Sequence, residues 1–184
     1  MNKLTILVLI STVMVACTKK DSTKTTETTD KGPEVVEKQD EVTTQTYNPI
    51  MHDGKEYYDI CCNPEDLTND QSLLSQRVIY FAYDQATVES NFRNLIAIHA
   101  KYLSSNPSAK MVLEGHADER GTPEYNLALG EKRANSVANL MRAQGASSGQ
   151  VSVVSFGEEK PVSLCNDDSC WSQNRRVRIV YTSK

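Results

Sequence analysis

Apolar residues are spread unevenly along the chain, and their spacing divides it. Leu4 to Ile10 is an apolar run, interrupted only by Thr5, behind a single basic residue, Lys3. Residues 18–46, TKKDSTKTTETTDKGPEVVEKQDEVTTQT, hold almost nothing to bury. From Gln76 onward, apolar positions recur with the periods of strands and helices. Arg77 to Tyr83 (RVIYFAY) is β-prone and reads as the first strand. Val88, Phe92, Leu95, Ile96, His99, Tyr102 and Leu103 follow at helical spacing. Asp84 or Thr87 is the expected cap of that helix, and Asn106-Pro107 its stop. Lys110 to Glu114 reads as the second strand. Thr122-Pro123-Glu124 opens a second helix, with a hydroxyl to cap it and a proline where no N–H is needed. Leu127, Ala134, Val137, Ala138 and Met141 share one face of it, and Gly145 ends it after about Gln144. Val151 to Phe156 and Arg176 to Tyr181 are the third and fourth strands. Strands alternating with helices predict an α/β sandwich, helices on one sheet.

The stretch between is ambiguous. Tyr47 to Ser75 has Tyr57, Tyr58, Ile60 and Leu67 without a period, broken by Gly54 and Pro64. It reads as irregular sequence, either packed on the domain or part of the tether. The expected organisation is a leader over residues 1–16, a flexible and mostly disordered tether over residues 17–75, and a folded domain over residues 76–184. The tether is too polar to offset its own ordering entropy. Its r.m.s. reach is on the order of 40 Å.

Composition narrows the function classes. A formal charge of -4 leaves no basic surplus for neutralising phosphates, which argues against nucleic acid. The apolar run near the start is too short to span a bilayer and reads as a cleaved export signal. The residues that follow it, Met14-Val15-Ala16-Cys17, resemble the lipobox of bacterial lipoproteins, with Met14 in the place usually held by leucine. The resemblance implies that the Cys17 thiol receives a diacylglycerol and becomes the new N-terminus. Two or more acyl chains anchor firmly where one does not. Thr18, Lys19 and Lys20 stand where aspartate would favour retention in the inner membrane, so the outer membrane is expected, with the domain facing the periplasm.

Candidate chemistry is concentrated in one loop. Gly115-His-Ala-Asp-Glu-Arg-Gly-Thr-Pro-Glu-Tyr-Asn126 links the second strand to the second helix. Free N–H groups at a helix start attract anions, and the carboxylates there attract cations. Asp118 and Arg133 fit either a ligand clamp or a structural ion pair. Arg175 and Arg176 fit either a supporting positive field or a solvated strand end. His52, His99 and His116 lack metal-ligand spacing, and no metal or cofactor is expected. Glu114, Asp118 and Glu119 lie in no hydrolase motif, and Ser136 and Ser155 have no visible His–Asp partners, so catalysis is not expected.

GHADERGTPEYNLALGEKRANSVANLM, with VSVVSFGEEKPV and WSQNRRVRIVY after it, resembles the OmpA-like domain family, and within it the peptidoglycan-associated lipoproteins of the Tol–Pal system. The likeness spans about Arg77 to Tyr181. It implies a βαβαβ core with one further strand on a mixed sheet. It also implies a ligand, the zwitterionic end of diaminopimelate in uncrosslinked peptidoglycan stem peptides. In that reading Asp118 takes the ammonium and Arg133 the carboxylate, a task that suits a planar bidentate donor. Asp84 and Tyr83 add contacts, Asn126 and Leu129 line the pocket, and Arg175 or Arg176 supports it. The implied partners are peptidoglycan, the propeller protein TolB and other Tol proteins. A lipoprotein of this type acting purely as an anchor outside the Tol system is the alternative. With Cys17 lipidated, four of the five cysteines remain for an oxidising compartment. Cys165–Cys170 is the favoured bridge. Cys61 and Cys62 are adjacent and ill-suited to pair with each other, so cross-pairing with Cys165 and Cys170 stays open.

Overall fold

The computed structural model describes Tyr47 and residues 49–184. The expected leader, Cys17 and residues 17–46 of the tether lie outside the described residues. Two strands form a hairpin, β1 (Pro49–His52) and β2 (Lys55–Tyr58), with His52 paired to Lys55. The two residues between them, Asp53 and Gly54, have φ of 48° and 72°. Both positions of such a tight turn need positive φ, and Asp-Gly supplies it at low steric cost. Then come β3 (Val78–Tyr80), α1 (Arg93–Ser105), β4 (Lys110–His116), α2 (Pro123–Ala143), β5 (Val151–Gly157), α3 (Asp168–Asn174) and β6 (Arg176–Ser183).

The main sheet has the order β3-β6-β4-β5. β5 runs parallel to β4, and β6 is antiparallel to both of its neighbours. This is the expected mixed α/β sheet. Alternation decides which face is covered. Met111 and Leu113 of β4 and Val177 and Ile179 of β6 are buried, in one cluster with Leu95, Ile96, Tyr102 and Leu103 of α1 and Val137 and Met141 of α2. On the opposite face Glu114 and Arg178 form an ion pair near solvent, at 3.7 Å. His99, on the apolar face of α1, is wholly buried between the Gln76 carbonyl (2.8 Å) and the Tyr181 hydroxyl (2.9 Å). Burial lowers its pKa to about 4.

Four expectations need correction. The folded part begins at the hairpin and not at Gln76. Tyr57, Leu67, Leu73 and Leu74 are all buried in the core cluster. Each plugs it from a hairpin or a single 3-10 turn, so no period announces them. Neither Asp84 nor Thr87 caps the first helix. A 3-10 turn over Ser90–Phe92 precedes α1, and Glu89 is its N-cap, without a side-chain bond. Asp84 has φ of 54°, whereas a capping residue sits in the extended region. Leu127 is 49% exposed although it shares the apolar stripe of α2. It lines an open groove with Pro123 and Phe156. Finally, Cys61 and Cys62 are bonded to each other, joined by a cis peptide bond with Cα atoms 3.1 Å apart. That removes the cross-pairing. The favoured Cys165–Cys170 bridge is present, with a Cα separation of 5.5 Å that suits a disulfide.

Candidate functional site

The loop from β4 to α2 is placed by glycines. A Cβ on Gly115 would run into the backbone carbonyl of Gly130, and one on Gly130 would meet the Ser155 hydroxyl. Helix α2 therefore lies against β4 and β5 with no side chain between the backbones. Thr122 caps the helix as expected, its hydroxyl accepting from the Tyr125 N–H at 3.2 Å. Arg133, one turn past Gly130 along α2, ends up under the carboxyl end of β4.

Arg133 is fully buried. Its Nη1 donates to the His116 carbonyl at 2.8 Å, its Nε to the Gln85 carbonyl at 2.8 Å, and its Nη2 to the Ala82 carbonyl at 3.2 Å. The guanidinium thus ties β4 to the segment that follows β3. Burial lowers its pKa to about 10, which leaves it cationic at neutral pH. Asp118 is 5% exposed. Its Oδ2 accepts from Arg120 Nη2 at 2.7 Å and from Arg175 Nη1 at 3.3 Å. Burial pushes its pKa upward, but hydrogen bonds from Arg120 and Arg175 outweigh that and hold it below the ordinary carboxylate value. Asp118 has two arginine partners, and Arg133 is neither of them. The reading of Asp118 and Arg133 as a mutual structural ion pair therefore gives way to two separate arrangements around one space.

That space is a small cavity of about 20 Å³, lined by Tyr83, Asp84, Asp118, Arg120, Tyr125, Asn126, Leu129 and Arg133. All six residues singled out from the sequence as pocket residues are in it. Asp84, in the left-handed region, accepts a short hydrogen bond from Tyr125 Oη, and Asn126 donates one to Glu158. A non-glycine residue at positive φ costs energy, and such strain is found where the surroundings over-determine a side chain's direction.

The two supporting arginines divide. Arg175 reaches the site: its Nη1 touches Asp118 and Asp168 (3.2 Å), and its Nε donates to the Phe81 carbonyl at 3.0 Å. Arg176 does not, and instead holds the preceding loop through the Asn174 and Lys160 carbonyls.

Three residues escaped the sequence reading. Tyr125 and Arg120 line the cavity, and Trp171 of α3 stands beside Arg120, whose guanidinium carbon is 4.1 Å from the indole and 4.0 Å from the Tyr83 ring. An acid followed two residues later by a base, in a turn where Asp118 Oδ1 also accepts the Arg120 N–H at 3.1 Å, was the available signal for Arg120. Trp171 came through the fold alone.

A wider groove of about 410 Å³ beside Tyr80 and Phe92 also has Arg175 on its wall, but its acids, Asp53 and Glu89, are exposed. His116 is buried on the Phe156 ring with no hydrogen-bond partner at either ring nitrogen among the described residues. Burial, then Arg176, Lys160 and Arg178, lower its pKa to about 4. Cys165, Asp167 and Cys170 cluster as metal ligands would, but both sulfurs are in the disulfide, which leaves no thiolate to bind an ion.

Comparison with known proteins agrees with this fold. Residues 80–176 match the OmpA family. The peptidoglycan-associated lipoprotein of Pasteurella multocida (strain Pm70) is 46% identical over 110 residues, covering 59% of this chain and 73% of that protein. Its counterpart from Haemophilus influenzae is 42% identical over 110 residues, covering 59% and 72%. The crystal structure of the peptidoglycan-associated lipoprotein from Burkholderia pseudomallei superposes with a TM-score of 0.63 at 43% identity, over 64% of this chain and 99% of that one. None of the three bears an enzyme's name. With the fold, the loop and these likenesses in agreement, the chain belongs to the OmpA family, among its peptidoglycan-associated lipoproteins.

Proposed function

We propose that this protein is a non-catalytic outer-membrane lipoprotein, anchored through Cys17, that holds peptidoglycan by its cavity between β4 and α2. The ligand is the zwitterionic end of diaminopimelate in stem peptides. Its ammonium goes to Asp118 and its carboxylate to the Arg133 side, with Asp84, Tyr83, Asn126 and Leu129 around them. The carrying observation is that all six residues line one cavity, with a buried anion, Asp118, and a buried cation, Arg133. Low local dielectric strengthens both attractions, and a buried ion pair of ligand with protein satisfies charges that are costly to leave alone.

Membership among the peptidoglycan-associated lipoproteins supports a further step, that the protein works in the Tol–Pal system and trades the wall for TolB on an overlapping surface. Lipid at one end, wall binding at the other and a polar tether between them suit a link across the periplasm.

The direct test is co-sedimentation of the full chain with purified sacculi. Wild type is expected in the pellet, and Asp118→Asn largely in the supernatant. Equal pelleting of the two proteins rules the site out. Crosslinking to TolB in cells separates the Tol role from that of a simple anchor, because a simple anchor yields no such adduct.

A further inference from the structure

Asp118 is the buried acid of the cavity, yet its place is already taken. Arg120 brings Nη2 to Oδ2 at 2.7 Å and Nε to Oδ1 at 3.3 Å. The same guanidinium is held between the Tyr83 and Trp171 rings, at 4.0 Å and 4.1 Å from the centroids. Trp171 is fixed in turn, its Nε1 donating to Glu119 at 3.0 Å. With Arg120 there, the cavity measures about 20 Å³. That is room for about one water and not for the ammonium and carboxylate of an amino-acid head.

Something must move to admit such a ligand, and the cations of the site differ in freedom. Arg133 is fully buried on three carbonyls, and the Arg175 side chain is 8% exposed with a carbonyl of its own. The Arg120 side chain is 30% exposed and, among the described residues, donates to no backbone carbonyl, while Tyr83 beside it is 57% exposed.

Resting on the reading that the cavity takes an ammonium–carboxylate ligand, we propose that Arg120 is the specificity gate of the site, its guanidinium occupying the ammonium position on Asp118 until the ligand's own ammonium replaces it. The exchange swaps one cation for another, so the buried carboxylate is never left without a counter-charge. It also sets a selection rule. A ligand with only a carboxylate has nothing to offer Asp118 and leaves the gate shut. Tyr83 and Trp171 determine how firmly it closes, and the loop closed by Cys165–Cys170 presents Trp171.

Trp171 is the single tryptophan of the chain, so its emission reports the gate. The experiment titrates the full chain with a purified diaminopimelate-containing muropeptide carrying a fluorophore, following heat, stopped-flow association by the fluorophore's anisotropy, and tryptophan emission where Trp171 is present. In wild type, emission is expected to change with the same saturation as the heat. Arg120→Ala, checked for folding by circular dichroism, should start with the changed emission and associate about tenfold faster. Trp171→Leu keeps Arg120 but removes one wall of the clamp, and should associate about two- to fivefold faster, the equivalent of one exposed cation–π contact. If Arg120→Ala does not fold, the Trp171→Leu rate decides. Muropeptide binding with unchanged emission, or with neither variant faster than wild type, overturns the gate while leaving wall binding intact. Absence of heat in wild type and both variants overturns the wall-binding reading, and the gate with it.

Discussion

The floor of the cavity, where Arg133 rests on three backbone carbonyls, is built differently from its rim, where Arg120 is held by a carboxylate and two aromatic rings. Both carry the same guanidinium and both face the same space. The floor arginine also does structural work, joining β4 to the segment after β3, so removing it leaves the buried His116 carbonyl and the part-buried Ala82 and Gln85 carbonyls without this donor. The rim arginine is 30% exposed, so solvent can take up its guanidinium when it leaves Asp118. One chemical group thus serves as framework on one side of the cavity and as exchangeable occupant on the other, and burial of the guanidinium itself, complete for Arg133 and partial for Arg120, decides which.

The largest effect should come from the floor. Arg133→Ala takes the donor from the buried His116 carbonyl, at about 1–3 kcal/mol for a buried unsatisfied group, and from the part-buried Gln85 and Ala82 carbonyls, at less each because water can reach them. A loss of at least about 2 kcal/mol in urea unfolding is expected. A loss under 1 kcal/mol would make floor and rim equivalent.

Acid should weaken the framework before it touches the rim. His99 and His116 both have folded pKa values near 4, below the unfolded value of 6.5, so the unfolded chain takes up protons first. Their neutral forms favour folding fully above pH 6.5, and that contribution falls as pH drops from 6.5 toward 4. The loss is up to about 1.4 kcal/mol per histidine per pH unit. Asp118, held below the ordinary carboxylate value, keeps its charge across the same window. Urea midpoints should therefore fall between pH 6.5 and 5 while muropeptide affinity at low denaturant holds. Substituting glutamine for both histidines should flatten that part of the stability profile, and an unchanged slope would assign it elsewhere.

Gly115→Ala probes how the floor is positioned. The added methyl meets the Gly130 carbonyl, and overpacking of that kind costs about 1–3 kcal/mol. Because α2 must then lift away from β4, affinity for muropeptide should fall along with stability. Stability lost without any change in affinity would break the link between this contact and the site. The smallest stability effect is expected at the rim, where Arg120→Ala should cost less than about 1 kcal/mol, as partly exposed ion pairs usually do.

The same contrast explains what the sequence revealed. Strands β4 and β6 and helix α2 were legible because Met111, Leu113, Val137, Met141, Val177 and Ile179 repeat with the period of their element, and each is buried. The Thr122 cap was legible because hydroxyl, proline and acid stand in order. The hairpin and the turns through Leu73 were not, since isolated apolar residues such as Tyr57 and Leu67 reach the core from irregular backbone. Leu127 misled for the converse reason, being in phase with the helix but lying over a groove and not over the core. In the site, Asp118 and Arg133 were found through the family likeness. Their actual partners were hidden, because Arg175, which bonds Asp118, comes from beyond β5, 57 residues later, and Arg133 is held by backbone carbonyls that no side-chain pattern marks. Arg120 looked like one more loop charge, since only the fold places two aromatic rings around it.

The most direct test of wall recognition through Asp118 is calorimetric titration of the full chain with diaminopimelate-containing muropeptide, comparing wild type with Asp118→Asn. The substitution keeps the shape and removes the charge that pairs with an ammonium. Charge-assisted contacts are worth about 1.5–3 kcal/mol, so affinity should drop by about ten- to a hundredfold. Equal affinity of the two proteins, both shown to be folded, would contradict ammonium recognition by this carboxylate.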